Sequence, residues 1–321
     1  MKRTILILSV WFLFCPARAQ ADKIYRVSAL VADDLFVPAF EGFKKKMAEI
    51  GYIEGKNIRY DFNNAKGNRE ILAKMAKKIV ESKPDVIVTS STTATLPVAK
   101  LTEGTDLPVV FLSSANPLAL VKSYASSGNN LTGISDSTLD TIGKQMELLK
   151  ELLPGAKRVI SLAVSTETNY EVIRRHTQEA AKKFGLTVVE IRADRAEEIK
   201  SKLAALIERR AGDAVFSSLN LSVLAMMEEI VQQATQGRIP VIGTGVEMVQ
   251  RGALATYTSD FFALGMQGAG LVDKILKGAR PSDLPIDQPS KLKLIINVKA
   301  AKLIGVKIPK SILIRADELL E

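Results

Sequence analysis

Hydroxyl and amide side chains are concentrated in four short loops, each following a predicted strand. The loops read Ser-Ser-Thr-Thr-Ala at 90–94, Ser-Ser-Ala-Asn-Pro at 113–117, Ser-Thr-Glu-Thr-Asn-Tyr at 165–170 and Ser-Ser-Leu-Asn at 217–220. Residues 90–94 lead into a predicted helix, whose free N–H groups could bind a carboxylate or another anion, although simple helix capping is the alternative. Because both halves of the chain contribute such loops, we predict that they form two walls of a ligand cleft.

Two carboxylates follow later strands and are candidate partners for a cationic group of a ligand. Glu247 lies beyond the predicted strand 240–242, and Asp260 follows the strand 253–257. A surface or capping role is the alternative for each. The predicted ligand-binding residues are Ser91, Thr92, Thr93, Ala94, Asn116, Thr166, Asn169, Tyr170, Ser218, Asn220, Glu247 and Asp260.

The sequence lacks the residues that most enzymes of an α/β fold use. His176 is the single histidine and Cys15 the single cysteine, so neither a zinc site of ordinary spacing nor a Ser-His-Asp triad is expected. There is no Gly-x-Ser-x-Gly, P-loop or Gly-x-Gly-x-x-Gly motif. Gly265, Gly268 and Gly270 lie in a predicted helix and indicate close helix packing. We therefore expect no catalytic residue, metal or cofactor.

Short β-branched runs alternate with longer segments of helical period from residue 24 onward, which is typical of βαβ units. In residues 36–50, for example, Phe36, Phe40, Phe43 and Met47 give one apolar face. The predicted strands are 25–31, 57–62, 85–89, 109–112, 132–135, 158–164, 187–191, 214–217, 240–242, 253–257 and 292–296. The predicted helices are 36–50, 68–82, 139–152, 170–184, 196–209, 221–235 and 261–276.

This order predicts an α/β protein of two doubly wound parallel-sheet lobes joined by a hinge. The polar join at residues 126–130 favours a crossover between lobes. We assign residues 22–134 and about 259–288 to one lobe, and residues 135–258 and about 289–321 to the other. Prolines at 281, 285 and 289 interrupt the chain before its last predicted strand, which suits another crossing.

The N-terminus has the pattern of a cleaved signal peptide over residues 1–21. Lys2 and Arg3 precede an apolar run at 5–14, and Ala-Arg-Ala-Gln-Ala at 17–21 permits cleavage after Ala19 or Ala21. A run this short does not span a bilayer. The residues before Cys15 lack the small side chain expected ahead of a lipidated cysteine. An extracytoplasmic protein that is neither a lipoprotein nor embedded in the membrane is expected.

The formal charge of +9 does not indicate nucleic-acid binding. Three of the basic residues lie in the predicted signal peptide, and no basic stripe with interleaved aromatic residues follows. Basic side chains instead occupy predicted helix surfaces. We expect no nucleic-acid partner.

Several segments resemble one protein family. They read GYIEGKNI at 51–58, KPDVIV at 83–88, NNLTG at 129–133 and VDKILKGA at 272–279, with Leu-Pro at 284–285, Gln-Pro at 288–289 and a tail from Ile-Pro at 308–309 to RADE at 315–318. From about residue 40 to 320 the chain resembles ABC-transporter substrate-binding proteins of the TrpX-like group. The best-understood relatives bind aromatic amino acids in a type I periplasmic-binding fold.

The resemblance implies roles for particular residues. The loop at 91–94 would hold a ligand carboxylate, and Asp260, in Tyr-Thr-Ser-Asp at 257–260, would be the first choice for an ammonium partner. Asn116 replaces an acid often found in the family. Asn169 and Tyr170 stand where the family often has Asn-Pro, so a differently shaped ligand is expected.

The resemblance also implies a mechanism, in which a monomer closes on a small amino-acid-like or organic solute and the closed form is recognised by ABC permease subunits. A sensory module that signals to a receptor is the alternative, and an α/β enzyme is a weaker one. Absence of tryptophan after residue 21 mildly disfavours sugars. Aromatic residues that could line an apolar subsite, or belong to the core, are Phe36, Phe111, Tyr170, Phe216 and Tyr257.

Overall fold

A computed structural model describes residues 23–210, 212–218 and 220–321. The predicted signal peptide, together with Cys15 and Trp11, lies outside the described residues. Within them, no helix combines the length and the apolar character that crossing a bilayer requires.

Strands and helices alternate along most of the chain, as predicted. The strands are β1 Tyr25–Val31, β2 Ile58–Asn64, β3 Val86–Ser90, β4 Val109–Ser114, β5 Leu131–Ser135, β6 Arg158–Val164, β7 Thr187–Ala193, β8 Ala214–Ser217, β9 Val241–Gly243, β10 Ala255–Ser259, β11 Leu292–Asn297 and β12 Glu318–Leu320. The helices are α1 Val37–Glu49, α2 Arg69–Glu81, α3 Thr92–Leu101, α4 Thr138–Leu152, α5 Tyr170–Lys183, α6 Glu197–Glu208, α7 Leu221–Ala225, α8 Met227–Gln236, α9 Val246–Gln250, α10 Phe261–Leu276, α11 Val298–Ile304 and α12 Lys310–Arg315.

The first lobe contains a parallel sheet in the order β2-β1-β3-β4-β5. Strands β3, β4 and β5 are buried along their whole length, as expected for parallel strands covered by helices on both faces. Helix α10 packs against α1, β4 and β5 and so belongs to this lobe, although it lies far along the chain.

The second lobe contains a sheet in the order β12-β11-β10-β9-β8-β6-β7. Strands β6 to β10 run parallel to one another, whereas β11 runs antiparallel to β10, with Ser259 opposite Leu292, and β12 runs parallel to β11. The reason is the path of the chain, which leaves the end of β10 to form α10 in the first lobe and returns at the same edge. The predicted α/β fold with parallel sheets in two lobes is confirmed, and the antiparallel pairing of β10 with β11 is a detail that the sequence did not predict.

Close backbone contact joins α1 to α10. A Cβ atom added to Gly265 would lie 1.7 Å from the carbonyl oxygen of Ala39, and one added to Gly42 would lie 2.0 Å from that of Phe262. A Cβ on Gly268 would lie 2.6 Å from Leu112. The prediction that these glycines permit close packing is therefore confirmed at Gly265 and Gly268. It is not confirmed at Gly270, where an added Cβ atom would meet nothing within 4 Å.

Within the described ranges, three segments cross between the lobes: between β5 and α4, between β10 and α10, and before β11. Hydrogen bonds hold them side by side. The Ser135 N–H donates to the Asp287 carbonyl at 2.8 Å, and the Ser259 hydroxyl donates to the Asp136 carbonyl at 3.0 Å. Three adjacent crossings are the kind of connection about which two lobes can hinge.

One predicted helix is divided in the structure. Residues 221–235 form α7 and α8, which meet at Met226, whose φ and ψ of −104° and 7° depart from the helical values. The Asn220 side chain caps α7 by accepting from the Val223 N–H at 3.0 Å. The short helices α9, α11 and α12 were not predicted, because five to seven residues are too few to show a helical period.

Candidate ligand-binding site

A cavity of about 320 Å³ lies between the lobes, at the C-terminal ends of β3, β4, β6 and β8. Its volume is near the lower end of the range for small-molecule sites. Predicted residues that line it are Ser91, Thr92, Thr93, Thr166, Asn169, Tyr170, Ser218 and Asn220. Predicted residues that are not part of its lining are Ala94, Asn116, Glu247 and Asp260. The cavity thus gathers hydroxyl-rich loops from both lobes.

The start of α3 forms one wall of the cavity. Ser91 has a φ of +87°, which residues other than glycine rarely adopt, and its hydroxyl accepts from the Ala94 N–H at 3.1 Å. The Thr92 hydroxyl hydrogen-bonds that of Ser114 at 2.9 Å. Thr92 and Thr93 line the cavity, and the N–H groups of a helix's first turn have no acceptor within the helix. This arrangement suits a carboxylate.

Ala94 and Asn116 support this wall from behind it. Ala94 is buried, and its N–H is already bonded to Ser91. The backbone N–H of Asn116 donates to the Thr92 hydroxyl oxygen at 3.4 Å. Both residues therefore act on Thr92 and the helix start from outside the cavity lining.

The second lobe supplies the opposite wall, where several polar groups are engaged by protein partners. The Tyr170 hydroxyl donates to Glu190 Oε1 at 2.8 Å, and Arg174 Nε donates to Oε2 of the same carboxylate at 2.9 Å. Asn220 uses its side-chain oxygen to cap α7. These bonds fix the orientation of side chains around the cavity.

Direct contacts join the two walls. The Arg69 guanidinium, at the start of α2, donates to the Thr166 carbonyl at 3.1 Å and pairs with Glu167 at 3.2 Å. The Thr93 hydroxyl donates to the Thr168 hydroxyl at 3.3 Å. The lobes are therefore closed on each other. Arg69 was not predicted from the sequence, because a charged residue in the first turn of a helix is usually an ordinary surface residue.

Asp136 is a second residue at the cavity that was not predicted from the sequence. It lies in the first crossing between lobes, lines the cavity and is 6% exposed. Burial raises its pKa, whereas hydrogen bonds from the hydroxyl and the N–H of Thr138 oppose that shift and the charge of Asp140 adds to it. No cation of the described chain forms an ion pair with it. Its position just after β5 was the available signal.

The two acids that were predicted as cation partners have other surroundings. Burial opposes ionisation of Asp260, but Lys293 at 2.6 Å and the N–H groups of Ala263 and Phe262 outweigh it and lower the pKa. Asp260 thereby caps α10 and ties it to the segment that returns to lobe two. Glu247 is half-buried, and burial raises its pKa. Its Oε2 has no hydrogen-bond partner among the described residues.

The aromatic residues divide between the cavity and the core. Phe36 and Tyr170 line the cavity. Phe111 and Phe216 are fully buried within the lobes, and Tyr257 is half-buried outside the lining. The apolar part of the wall is therefore smaller than the five candidates allowed.

Comparisons with known proteins agree with this architecture. Residues 25–320 match the family model described as "ABC transporter substrate binding protein". The chain is 28% identical over 291 residues to the tyrosine-binding protein of Clostridioides difficile strain R20291, with 90% of this chain and 83% of that protein covered.

Two solved structures are similar over nearly the whole chain. An ABC domain from Streptococcus pneumoniae in complex with L-Trp has a TM-score of 0.85 and 28% identity, covering 93% of this chain and 100% of that one. The ligand-free, open structure of a substrate-binding protein with adhesive properties from Clostridium difficile has a TM-score of 0.75 and 26% identity, covering 92% and 99%. The resemblance and the two-lobed fold predicted from the sequence are confirmed, and the chain belongs to the family of ABC transporter substrate-binding proteins.

Proposed function

We propose that this protein captures a free amino acid between its lobes and presents it to the permease of an ABC importer. An amino acid carries a carboxylate and an ammonium group a short distance apart. The cavity offers a helix start suited to the first group and a buried carboxyl suited to the second. The presence of both this helix start and this buried carboxyl on one cavity is the main support for the proposal.

The two subsites are adjacent through Ser114. The Thr92 hydroxyl bonds the Ser114 hydroxyl, and the Asp136 N–H donates to the Ser114 carbonyl at 3.0 Å. We therefore assign the ammonium to Asp136 in place of Asp260, whose carboxylate already has a cation. A ligand ammonium would give the buried Asp136 the ion partner that the described residues do not supply.

The ligands of two relatives favour the same class. One relative is a tyrosine-binding protein, and another was solved with L-Trp. The TM-score is higher with the L-Trp complex than with the open, ligand-free structure, in keeping with lobes that meet at Arg69 and Thr93. We propose that ligand binding stabilises this closed form, which the permease then recognises.

We place this activity outside the cytoplasm, after removal of residues 1–21, with the protein acting as a monomer. The remaining chain contains no tryptophan, so binding should be followed with an added dye. The experiment is a thermal melt of residues 22–321 with each of the common L-amino acids, and with sugars, nucleosides and organic acids. We expect at least one amino acid to raise the melting temperature. Stabilisation by a sugar or nucleoside alone, or turnover of the ligand, would refute the proposal.

Variants locate the site. Replacing Thr92 and Thr93 together with Val should weaken amino-acid binding by about tenfold or more, since two hydroxyls beside the carboxylate are lost. Thr102→Val is the control, because its hydroxyl bonds the Val98 carbonyl at 2.9 Å at the far end of α3, outside the cavity. Equal affinities of the two variants would remove α3 from the site.

A further inference from the structure

The cavity does not stop at the cleft but continues into the second lobe, between α5 and strands β6 and β7. Residues that line this branch are Ser161, Ala163, Ile173, Thr177, Val188 and Glu190. Thr177 lies two helical turns beyond Tyr170, so the branch extends about 10 Å along the axis of α5. A side chain longer than that of serine or valine is needed to occupy it.

Thr177 presents an unsatisfied hydroxyl to the branch. The residue is 1% exposed, and its Oγ1 has no hydrogen-bond partner among the described residues. Threonines in helices commonly donate to a carbonyl one turn earlier. Thr95 does so at 2.8 Å and Thr102 at 2.9 Å. Thr177 departs from that pattern, and a buried hydroxyl without a partner is unfavourable until something binds it.

A second unsatisfied atom lies nearer the cleft. Asn169 Oδ1 is buried and lacks a hydrogen-bond partner in the part of the chain that the structure describes. The residue lines the cavity immediately before Tyr170. Asn169 and Thr177 thus place two buried polar atoms without a protein partner on the lining of one cavity, where a bound molecule could satisfy both.

The carboxylate that lines the branch already has protein partners. Glu190 accepts from Tyr170 and from Arg174, so its carboxylate already has a cation and a hydroxyl as partners. Ile173, Val188 and Ala163 supply apolar wall between these polar points. Such a lining suits a mostly apolar group with one neutral hydrogen-bonding atom at its far end.

Building on the function proposed above, we infer that the branch beneath α5 is the side-chain subsite, and that Thr177 selects amino acids whose largely apolar side chain ends in a neutral hydrogen-bonding group. The carboxylate and ammonium stay at α3 and Asp136 in the cleft. The side chain passes Tyr170 and reaches Thr177. An amino acid with the same shape but no terminal polar group leaves the Thr177 hydroxyl unpaired.

L-tyrosine and L-phenylalanine are the probes, because they differ only in a terminal hydroxyl. Titration calorimetry of the unaltered protein should show tyrosine binding about tenfold or more tightly, the usual scale of one buried hydrogen bond. Thr177→Val should bring the two affinities to within about twofold, mainly by weakening tyrosine. Thr177→Ser retains the hydroxyl and should retain the preference.

The outcomes separate the subsite from the proposed function. Equal binding of the two probes by the unaltered protein, or a preference that survives in Thr177→Val, overturns the role of Thr177. Binding of other amino acids with neither probe bound overturns the ligand class of this branch. Failure of every amino acid to bind would instead refute the proposed function. Thr102→Val controls for the loss of a buried hydroxyl elsewhere, and its tyrosine preference should equal that of the unaltered protein.

Discussion

The carboxyl groups around the cleft differ in the partners that the chain gives them. Glu167 pairs with Arg69, Glu190 with Arg174 and Asp260 with Lys293. Asp136 is more buried than these and is held by Thr138 alone. A buried carboxyl with hydrogen bonds but no cation favours a cationic ligand, whereas a paired one serves the scaffold.

Asp136→Asn should weaken amino-acid binding at neutral pH by about tenfold or more, because the ammonium loses its ionic partner. Because burial raises the Asp136 pKa, affinity of the unaltered protein should fall with decreasing pH at values above the ordinary range of aspartate, about 3.9. The asparagine variant should show no such fall. Calorimetric titrations across this range check both statements, and parallel pH profiles would contradict them.

Asp260 should affect stability instead of binding. Its folded-state pKa is lowered, so its contribution is present above the unfolded value, about 3.9, and is lost as pH falls through the folded value. Asp260→Asn should reduce the free energy of unfolding at pH 7 by up to about 1 kcal/mol, since the pair with Lys293 is partly exposed. Denaturant unfolding should show that difference shrinking towards pH 3. A large loss of ligand affinity at pH 7 would instead return Asp260 to the site.

Residue patterns predicted part of the lining of the cavity. Hydroxyl-rich loops after strands were found because parallel strands end at a common edge, and both lobes place that edge at the cleft. Asp136, Arg69 and Thr177 were not predicted, because the roles proposed for them depend on burial and on contacts across the lobes. Neither property is visible in a chain read alone.

At the scale of elements, the packing of α1 against α10 completes lobe one. Their backbones touch at Gly42 and Gly265, and the rings of Phe36 and Phe261 meet edge to face at 5.2 Å between centroids. Helix periodicity in the sequence predicted both helices and their apolar faces. It could not predict that two helices so far apart in the chain are neighbours.

Two glycines of α10 provide a matched test of this packing. Gly265→Ala should lower the free energy of unfolding by about 1–3 kcal/mol or more, because the new methyl group meets the Ala39 carbonyl. Gly270→Ala should raise it by about 0.5–1 kcal/mol, since the position is exposed, meets nothing within 4 Å and only loses unfolded-state freedom. Changes of the same sign in denaturant unfolding would contradict this account of the pair.

At the scale of the whole molecule, closure is reinforced by contacts that do not involve ligand. Arg69 reaches from α2 to Thr166 and Glu167, and Glu167 also accepts from the Ser222 hydroxyl at 2.6 Å. An ion pair this exposed contributes modestly, on the order of 0.2–1 kcal/mol. Such a contact biases the equilibrium towards closure without locking it.

Arg69→Gln should therefore speed ligand release by up to about fivefold while leaving association nearly unchanged. Lys77→Gln is the control, because Lys77 pairs with Glu81 within the same helix and does not cross the cleft. Stopped-flow dissociation at low and high salt measures the effect. The difference in release rate between Arg69→Gln and the unaltered protein should diminish in high salt. Equal release rates for Arg69→Gln and Lys77→Gln would exclude a closing role for Arg69.

The path of α10 also sets the order in which the molecule can be assembled. Lobe one takes this helix from residues 261–276, and lobe two takes β11 and β12 from still later residues. A chain that emerges N-terminus first consequently holds α1 and β4 with their apolar faces uncovered until most of its length has appeared. We therefore expect neither lobe to complete its core before residues 261–321 are available. Late completion of both lobes would keep the chain unfolded long enough to pass through a narrow pore, as the proposed export requires.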